Sequence, residues 1–221
     1  MDQKLLFLIN REWSSPALDK LMALASSAAF WGVPLGLAAL FLAWKGGFRG
    51  RVFVVLALVA FGITDGIVGR NVKRSVNRLR PNQSEFGVRM LDLARPVWKG
   101  IAQPVKEKVS LGKTRFKTEE GRSFPSNHSA NTAAVAIIAA LLYRRGWLVF
   151  LPALLVSYSR IYTGAHWPSD VLAGICIGIG TGLAAFFLAE WAWRKFGERI
   201  APLTKARHPS LLRRREEITV A

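Results

Sequence analysis

The sequence predicts an all-α integral membrane protein, a helical bundle of about five spans with interfacial helical segments. Three observations carry that reading: long uncharged apolar runs, tryptophans near the ends of those runs, and glycines repeated every four residues inside them. Leu21–Ala43 has no Asp, Glu, Lys or Arg, and Val52–Val68 has only Asp65. Ser126–Tyr143, Gly146–Ser159 and Val171–Ala189 have none. Such runs approach the ~20 residues needed to cross a ~30 Å hydrocarbon core. Spans are predicted at 18–43, 52–69, 126–143, 147–164 and 168–192. The alternative is a large soluble helical core, but continuous apolar runs are not the striped pattern of amphipathic helices.

Trp44, Trp147, Trp167, Trp191 and Trp193 fall at the predicted span ends, where indole rings favour the membrane interface. Gly174, Gly178 and Gly182 in the last span, and Gly62 and Gly66 in the second, have the spacing that permits close helix contact. Packing within one bundle is the preferred reading of both sets. Cys176, the only cysteine, falls mid-span and reads as a small packing residue. The apolar stretch from Lys4 to Ile9 is too short for a signal peptide core. Residues 1–17 are therefore expected to be an interfacial lead-in. Residues 18–193 form the membrane domain, with an insertion at 82–122, and 194–221 form a basic cytoplasmic tail.

The net charge of +17 would suggest nucleic acid. Here the bases lie in loops between apolar spans, so anionic lipid is the better partner and no nucleic acid is expected. Thirteen bases mark one set of span ends: Lys45, Arg49, Arg51, Arg144, Arg145 and eight from Arg194 to Arg215. The positive-inside rule makes that side cytoplasmic. The segment from Arg70 to Arg122 carries fourteen Lys and Arg and opposes this assignment, but the short loops are the cleaner indicators. In the insertion, Val88, Leu91, Trp98, Ile101 and Val105 have roughly helical spacing, interleaved with Arg89, Arg95, Lys99 and Lys106. Pro96 and Pro104 break any continuous helix, so short amphipathic pieces on the headgroup layer are expected.

Three motifs follow in order: Lys73 with Arg80-Pro81, then Pro125-Ser126-Asn127-His128, then Ser159-Arg160 with His166 and Asp170. If the second span stays helical, the seven-residue separation brings Lys73 and Arg80 to nearly one face. Arg80 offers a planar fork for phosphate oxygens and Lys73 a compact charge. Pro125 suits the first turn of a helix, which puts Ser126 and His128 at an anion-favouring N-terminus; Ser126 as a simple cap is equally open. Pro168 starts the fifth span, and His166 and Asp170, four apart, meet across its first turn. A carboxylate accepting Nδ1–H leaves Nε2 free to attack. Three cations beside two histidines repel a divalent metal and supply few carboxylates for one, so neither a metal nor another cofactor is expected. Asp65 is costly within a span and usually faces protein; pairing with a motif cation or contact with a headgroup is open, and a structural hydrogen bond is slightly favoured.

At these motifs, over roughly residues 60–185, the chain resembles the type 2 phosphatidic acid phosphatase and vanadium haloperoxidase superfamily. The resemblance implies that His166 attacks phosphorus to form a phosphohistidine, oriented by Asp170. It implies that His128 protonates the leaving oxygen and then activates water, while Lys73, Arg80, Ser126 and Arg160 hold the phosphoryl oxygens. The expected substrate is a membrane lipid phosphate, with undecaprenyl diphosphate the first expectation and a lipid A phosphatase next. Phosphatidylglycerophosphate and phosphatidic acid follow. The expected location is a bacterial inner (plasma) membrane, with the active site turned to the periplasm or outside by the positive-inside rule. A haloperoxidase is disfavoured by the apolar spans. A non-enzymatic lipid transporter or scaffold would have no use for the nucleophile set.

Overall fold

The computed structural model describes residues 1–112 and 122–212. Lys113, Arg115 and Lys117 of the insertion and Arg213, Arg214 and Arg215 of the tail lie outside those residues. The architecture is mostly helical. It opens with α1 (Asp2–Phe7), a π-helical turn (Leu8–Glu12), α2 (Pro16–Ser26) and α3 (Ala28–Lys45). Next, α4 (Gly47–Phe61) runs through a π-helical stretch (Gly62–Gly69) into α5 (Arg70–Val76). The insertion holds α6 (Pro81–Ser84), β1 (Phe86–Asp92), α7 (Val97–Ala102) and β2 (Lys106–Leu111). Then come α8 (Asn127–Leu142), a 3₁₀ turn (Gly146–Val149), α9 (Phe150–Tyr162), α10 (Pro168–Ile200) and α11 (Pro202–Arg207).

Ala28–Lys45, Gly47–Val76 and Pro168–Ile200 are long and apolar enough to cross a membrane; Asn127–Leu142 and Gly146–Tyr162 are apolar but shorter. The first expected span, 18–43, is divided. Ser27 leaves the helical region (φ −85°, ψ 101°) and its Oγ accepts from Phe30 N–H, capping α3. Upstream, α2 buries Met22, Ala23 and Ala25. Downstream, α3 buries nothing.

Two apolar clusters hold the bundle. One joins Leu6, Ile9, Met22, Val88, Tyr162 and Val171 beneath the motif residues. The other joins Leu56, Ala134, Ile138, Leu142 and Phe186 toward the opposite end. Between them α10 lies against α8. A Cβ on Gly174 would meet the Ser126 carbonyl oxygen at 2.5 Å, and one on Gly178 the Ala130 carbonyl oxygen at 2.0 Å. Small residues here are what allow the backbones to approach. Gly62 and Gly66 have no such neighbour, so the same spacing in the second span marks no helix contact. Cys176 is exposed on α10 rather than packed.

The insertion is not a set of amphipathic helices. Among its described residues α6 and α7 are short helices, and β1 and β2 pair antiparallel, with Arg89 opposite Val109 and Asp92 opposite Lys106. A register irregularity between Phe86 and Arg89 lets Val88 and Leu91 both reach the core. That three-residue separation is what looks helical in the sequence. Arg89 is a tie rather than a headgroup contact: it pairs with Asp19 at 2.7 Å and Glu107 at 2.6 Å. Trp167 also departs from expectation. It is buried, donates Nε1–H to the Leu79 carbonyl at 2.9 Å and lies under the Arg78 guanidinium. Trp44, Trp147 and Trp191 are exposed, as interfacial residues would be.

Candidate active site

Four chain segments deliver the motif side chains to one end of the bundle. The second span's helix ends at Val76, and Asn77 takes a left-handed conformation (φ 50°). The chain then crosses to Arg80 in extended conformation (ψ 153°), and Pro81 opens α6. Lys73 and Arg80 therefore do not share a helical face; a turn, not a continuous helix, brings them together. They feel each other electrostatically, with Arg160, Asp65 and Asp170 also in range of Lys73. Asp65 accepts a hydrogen bond from Asn127 Nδ2, the structural role favoured for it.

Ser126 is the N-cap of α8, one residue later than expected for the helix start, so Pro125 precedes the cap instead of occupying the first turn. Its Oγ receives Ser129 N–H at 3.4 Å and Ser129 Oγ at 3.0 Å. Its hydroxyl is thus engaged in capping. His128, in the first turn, is half-buried and within electrostatic reach of Arg160, Arg80 and Lys73. Arg160 lies in the last turn of α9, and its Nη1 donates to the Ser26 hydroxyl and, at 3.3 Å, the Ser26 carbonyl.

His166 sits in the loop before α10, 2% exposed. Arg80 Nη1 donates to the Ala165 carbonyl at 3.1 Å and lies 3.4 Å from His166 Nε2. A guanidinium has no acceptor, so the nitrogen facing it carries the lone pair, which puts the proton on Nδ1. Burial pushes the imidazole's pKa down, to about 3. Asp170 opposes that shift, while Arg80 and Arg160 reinforce it. A neutral ring with its Nε2 lone pair facing a cationic site suits nucleophilic attack.

Asp170 lies 3.8 Å from His166 Nδ1, in contact but beyond hydrogen-bond length. Ser123 fills the corner: its Oγ donates to Asp170 Oδ2 and lies 3.5 Å from His166 Nδ1. Asp170 Oδ2 also accepts from Trp167 N–H at 3.0 Å, closing the first turn of α10. Its Oδ1 accepts from Arg78 Nη1 at 2.8 Å. Arg78 reaches onward to Asp2 at 2.6 Å, and Asp2 accepts from Ser169 N–H at 3.0 Å. Burial raises the Asp2 pKa, but the Ser169 and Arg78 bonds outweigh it and the net shift is downward.

Sequence reasoning missed Ser123, Arg78 and Asp2. Arg78 lies inside the Lys73–Arg80 window and Ser123 two residues before Pro125. Nothing in the sequence marks Asp2, whose contacts are with residues far along the chain. The assembled site has Lys73, Arg80 and Arg160 around the two histidines. It can grip a phosphoryl group, attack it and pass a proton.

A fold of apolar helices with this cationic, histidine-bearing end defines a class of membrane phosphoryl-transfer proteins. Residues 50–194 match the PAP2 superfamily, and the chain belongs to it. A lipid A 4'-phosphatase of Bacteroides thetaiotaomicron is 29% identical over 196 residues, 86% of this chain and 77% of that protein. The undecaprenyl-diphosphatase BcrC of Bacillus subtilis is 42% identical over 71 residues, 31% of this chain and 36% of that protein. Among solved structures, Aquifex aeolicus LpxE aligns with a TM-score of 0.53 at 24% identity, covering 83% of this chain and 93% of that one.

Proposed function

We propose that His166 attacks the phosphorus of a lipid phosphate through Nε2 and carries the phosphoryl group as a phosphohistidine. The chain is an integral membrane phosphatase acting on lipid phosphates; the residue roles and the particular lipid are the proposal. One observation carries it above all: Nε2 of the buried imidazole faces Arg80, which clusters with Lys73 and Arg160. Arg80 swings from Nε2 to the phosphoryl oxygens when substrate enters, and Lys73, Arg160 and the α8 N-terminus at Ser126 share them. His128 protonates the leaving oxygen, then takes a proton from the water that hydrolyses the intermediate. Asp170 holds the Nδ1–H tautomer with Ser123 beside it, and stabilises the charge that develops on the ring.

The phosphatase unit is 18–193. Residues 1–17 latch onto it through Asp2, and 194–221 form a cytoplasmic tail. The site faces the periplasm of a bacterial inner membrane, because the short basic loops mark the other side. Of the substrates the relatives are named for, a phosphorylated glycolipid is favoured over undecaprenyl diphosphate, since the lipid A 4'-phosphatase match spans most of the chain. Phosphate release from purified protein over glycolipid, prenyl diphosphate and glycerophospholipid substrates tests this. Turnover should survive excess EDTA, because Lys73, Arg80 and Arg160 supply the counter-charge. Loss on chelation with rescue by magnesium would overturn the mechanism.

A further inference from the structure

The end of the bundle away from the motif residues holds a cleft of about 420 Å³. Arg51 of α4 and Arg207 of α11 supply charge, Thr204 a hydroxyl, and Phe48, Trp193 and Leu203 apolar walls. No carboxylate lines it among the described residues. Its place follows from α10, which carries Asp170 in its first turn and Trp193 near its far end. At 1.5 Å per residue the helix between them is about 35 Å long, against a hydrocarbon core of about 30 Å. The cleft and the motif histidines therefore face opposite membrane surfaces, and a group held in the cleft is out of reach of His166.

A fold-back of the chain builds this cleft. After α10 ends, α11 turns back along it. Lys205 Nζ donates to the Trp193 carbonyl at 3.2 Å and the Pro209 carbonyl at 2.8 Å. Trp193 Nε1 donates to the His208 carbonyl at 2.7 Å. The His208 ring stacks on Phe48 with centroids 4.8 Å apart, and Phe48 meets Trp193 at the same distance. Glu190, a buried carboxylate, latches the segment: it accepts from Ser210 Oγ at 2.7 Å and from Leu211 N–H at 2.6 Å. Leu211 is buried in the second apolar cluster. On the other wall, Arg51 Nε donates to the Ala43 carbonyl at 3.1 Å. The two guanidiniums thus come from separate elements that only the fold-back brings to one cleft.

The lining chemistry selects an occupant. Two cations and a hydroxyl without a carboxylate call for an anion, and guanidinium forks match phosphate oxygens. The surroundings call for apolar chains as well. Leu203 is 81% exposed, and Ile200, Trp191 and Trp44 are exposed near it in the chain or at the same end of the bundle. Lys45 lies over the Trp44 ring at 4.3 Å and Lys195 over the Trp191 ring at 5.1 Å. Aromatic bodies with ammonium heads above them are the pattern of a membrane interface. A soluble phosphate would use the arginines and leave the apolar wall unmet. A choline headgroup would bring a third cation to Arg51 and Arg207. We infer that this cleft binds the phosphate of an anionic phospholipid, of the phosphatidylglycerol kind, in the leaflet opposite the catalytic end. The lipid is held and not hydrolysed, and its phosphate ties α4 to α11.

The test uses the full-length protein in micelles of a neutral detergent. Saturating phosphatidylglycerol should raise the thermal midpoint by about 5–10 °C, as a ligand near 100 times its Kd would. Phosphatidylcholine should not. Arg51→Gln with Arg207→Gln should lose most of the shift, while its release of phosphate from p-nitrophenyl phosphate stays within about 2-fold of the parent. A measurement on the unaltered protein guards against misfolding of that variant: phosphatidylglycerol with a photoreactive headgroup should label peptides covering 48–51 and 201–208. Excess glycerol 1-phosphate should not block that labelling. Equal shifts from the two lipids, an undiminished shift in the double variant, or labelling confined to the catalytic end would overturn the site. Labelling blocked by glycerol 1-phosphate would overturn the phospholipid assignment in favour of a soluble phosphate.

Discussion

At the catalytic end of the bundle polar side chains are hidden, while along α3 apolar side chains are bare. Ser123, Ser126 and Asp170 have no exposed surface. Val33, Leu37 and Leu40 on α3 are 70, 62 and 68% exposed. In water the second pattern would be a large sticky surface. In a bilayer it is the ordinary solvent face, and the energetic problem moves to the polar groups, which must find partners inside the protein. The catalytic end meets that demand with a chain of bonds from Asp2 through Arg78 to Asp170 and Ser123. Chemistry and membrane solvation therefore impose the same construction there: Asp170 and Arg78, the charges linked to the nucleophile's orienting end, are each held by another group.

Breaking the polar end should have the largest effect. Asp170→Asn should reduce kcat by about 10⁴-fold, as in other triads that lose tautomer control. Ser123→Ala and Arg78→Gln should each reduce kcat by the equivalent of about 1–3 kcal/mol, the cost of leaving a buried partner unmet. KM for a small phosphate ester should hold in both, because neither side chain touches the phosphate. Steady-state phosphate release gives both numbers.

The bare face gives the next test. Leu37→Asp should destabilise the inserted protein by about 2.5–3.5 kcal/mol, the insertion cost of a charge at mid-span. An exposed polar change on the hairpin, Lys108→Asp, should stay within about 0.5 kcal/mol. Unfolding titrations in mixed micelles distinguish the two, and equal effects would mean that α3 does not face lipid. A third contrast lies within the glycines. Gly178→Ala should cost about 1–3 kcal/mol through overpacking against α8. Gly62→Ala, with open space around it, should be neutral or stabilising by up to about 1 kcal/mol. The same titrations read both.

The last contrast is in pH dependence. In the folded state His166 binds its proton only near pH 3, against an ordinary value of 6.5. Between those values the unfolded chain carries a proton that the folded chain refuses, so this residue makes stability fall as pH drops through that window. Thermal midpoints of the wild type should decline from pH 6.5 toward 4, and those of His166→Gln should decline less.

Much of this was legible in the sequence because the strongest signals are local. Uncharged runs gave α3, α4, α8, α9 and α10 their place, and the short motifs named the residues that gather at one end. What was not legible depends on partners far along the chain. The hairpin hid behind Val88 and Leu91, whose spacing imitates a helix because of the register irregularity beside them. The turn at Asn77 undid the single helical face expected for Lys73 and Arg80. The break after α2 does have a local cue, since Ser26-Ser27 offers a cap in the middle of an apolar run. Asp2 and Arg78 meet across 76 residues, and no spacing rule reaches that far.

The central claim is that a covalent phosphoryl group passes through His166. It is tested by rapid quench of the protein with labelled lipid phosphate, followed by alkaline digestion and mass mapping. The expected result is an acid-labile, alkali-stable phosphoryl group on His166 that forms and decays fast enough to support turnover. It should be absent, together with turnover, in His166→Ala. Phosphate release at an undiminished rate by His166→Ala, or a label mapped to another side chain, would contradict it.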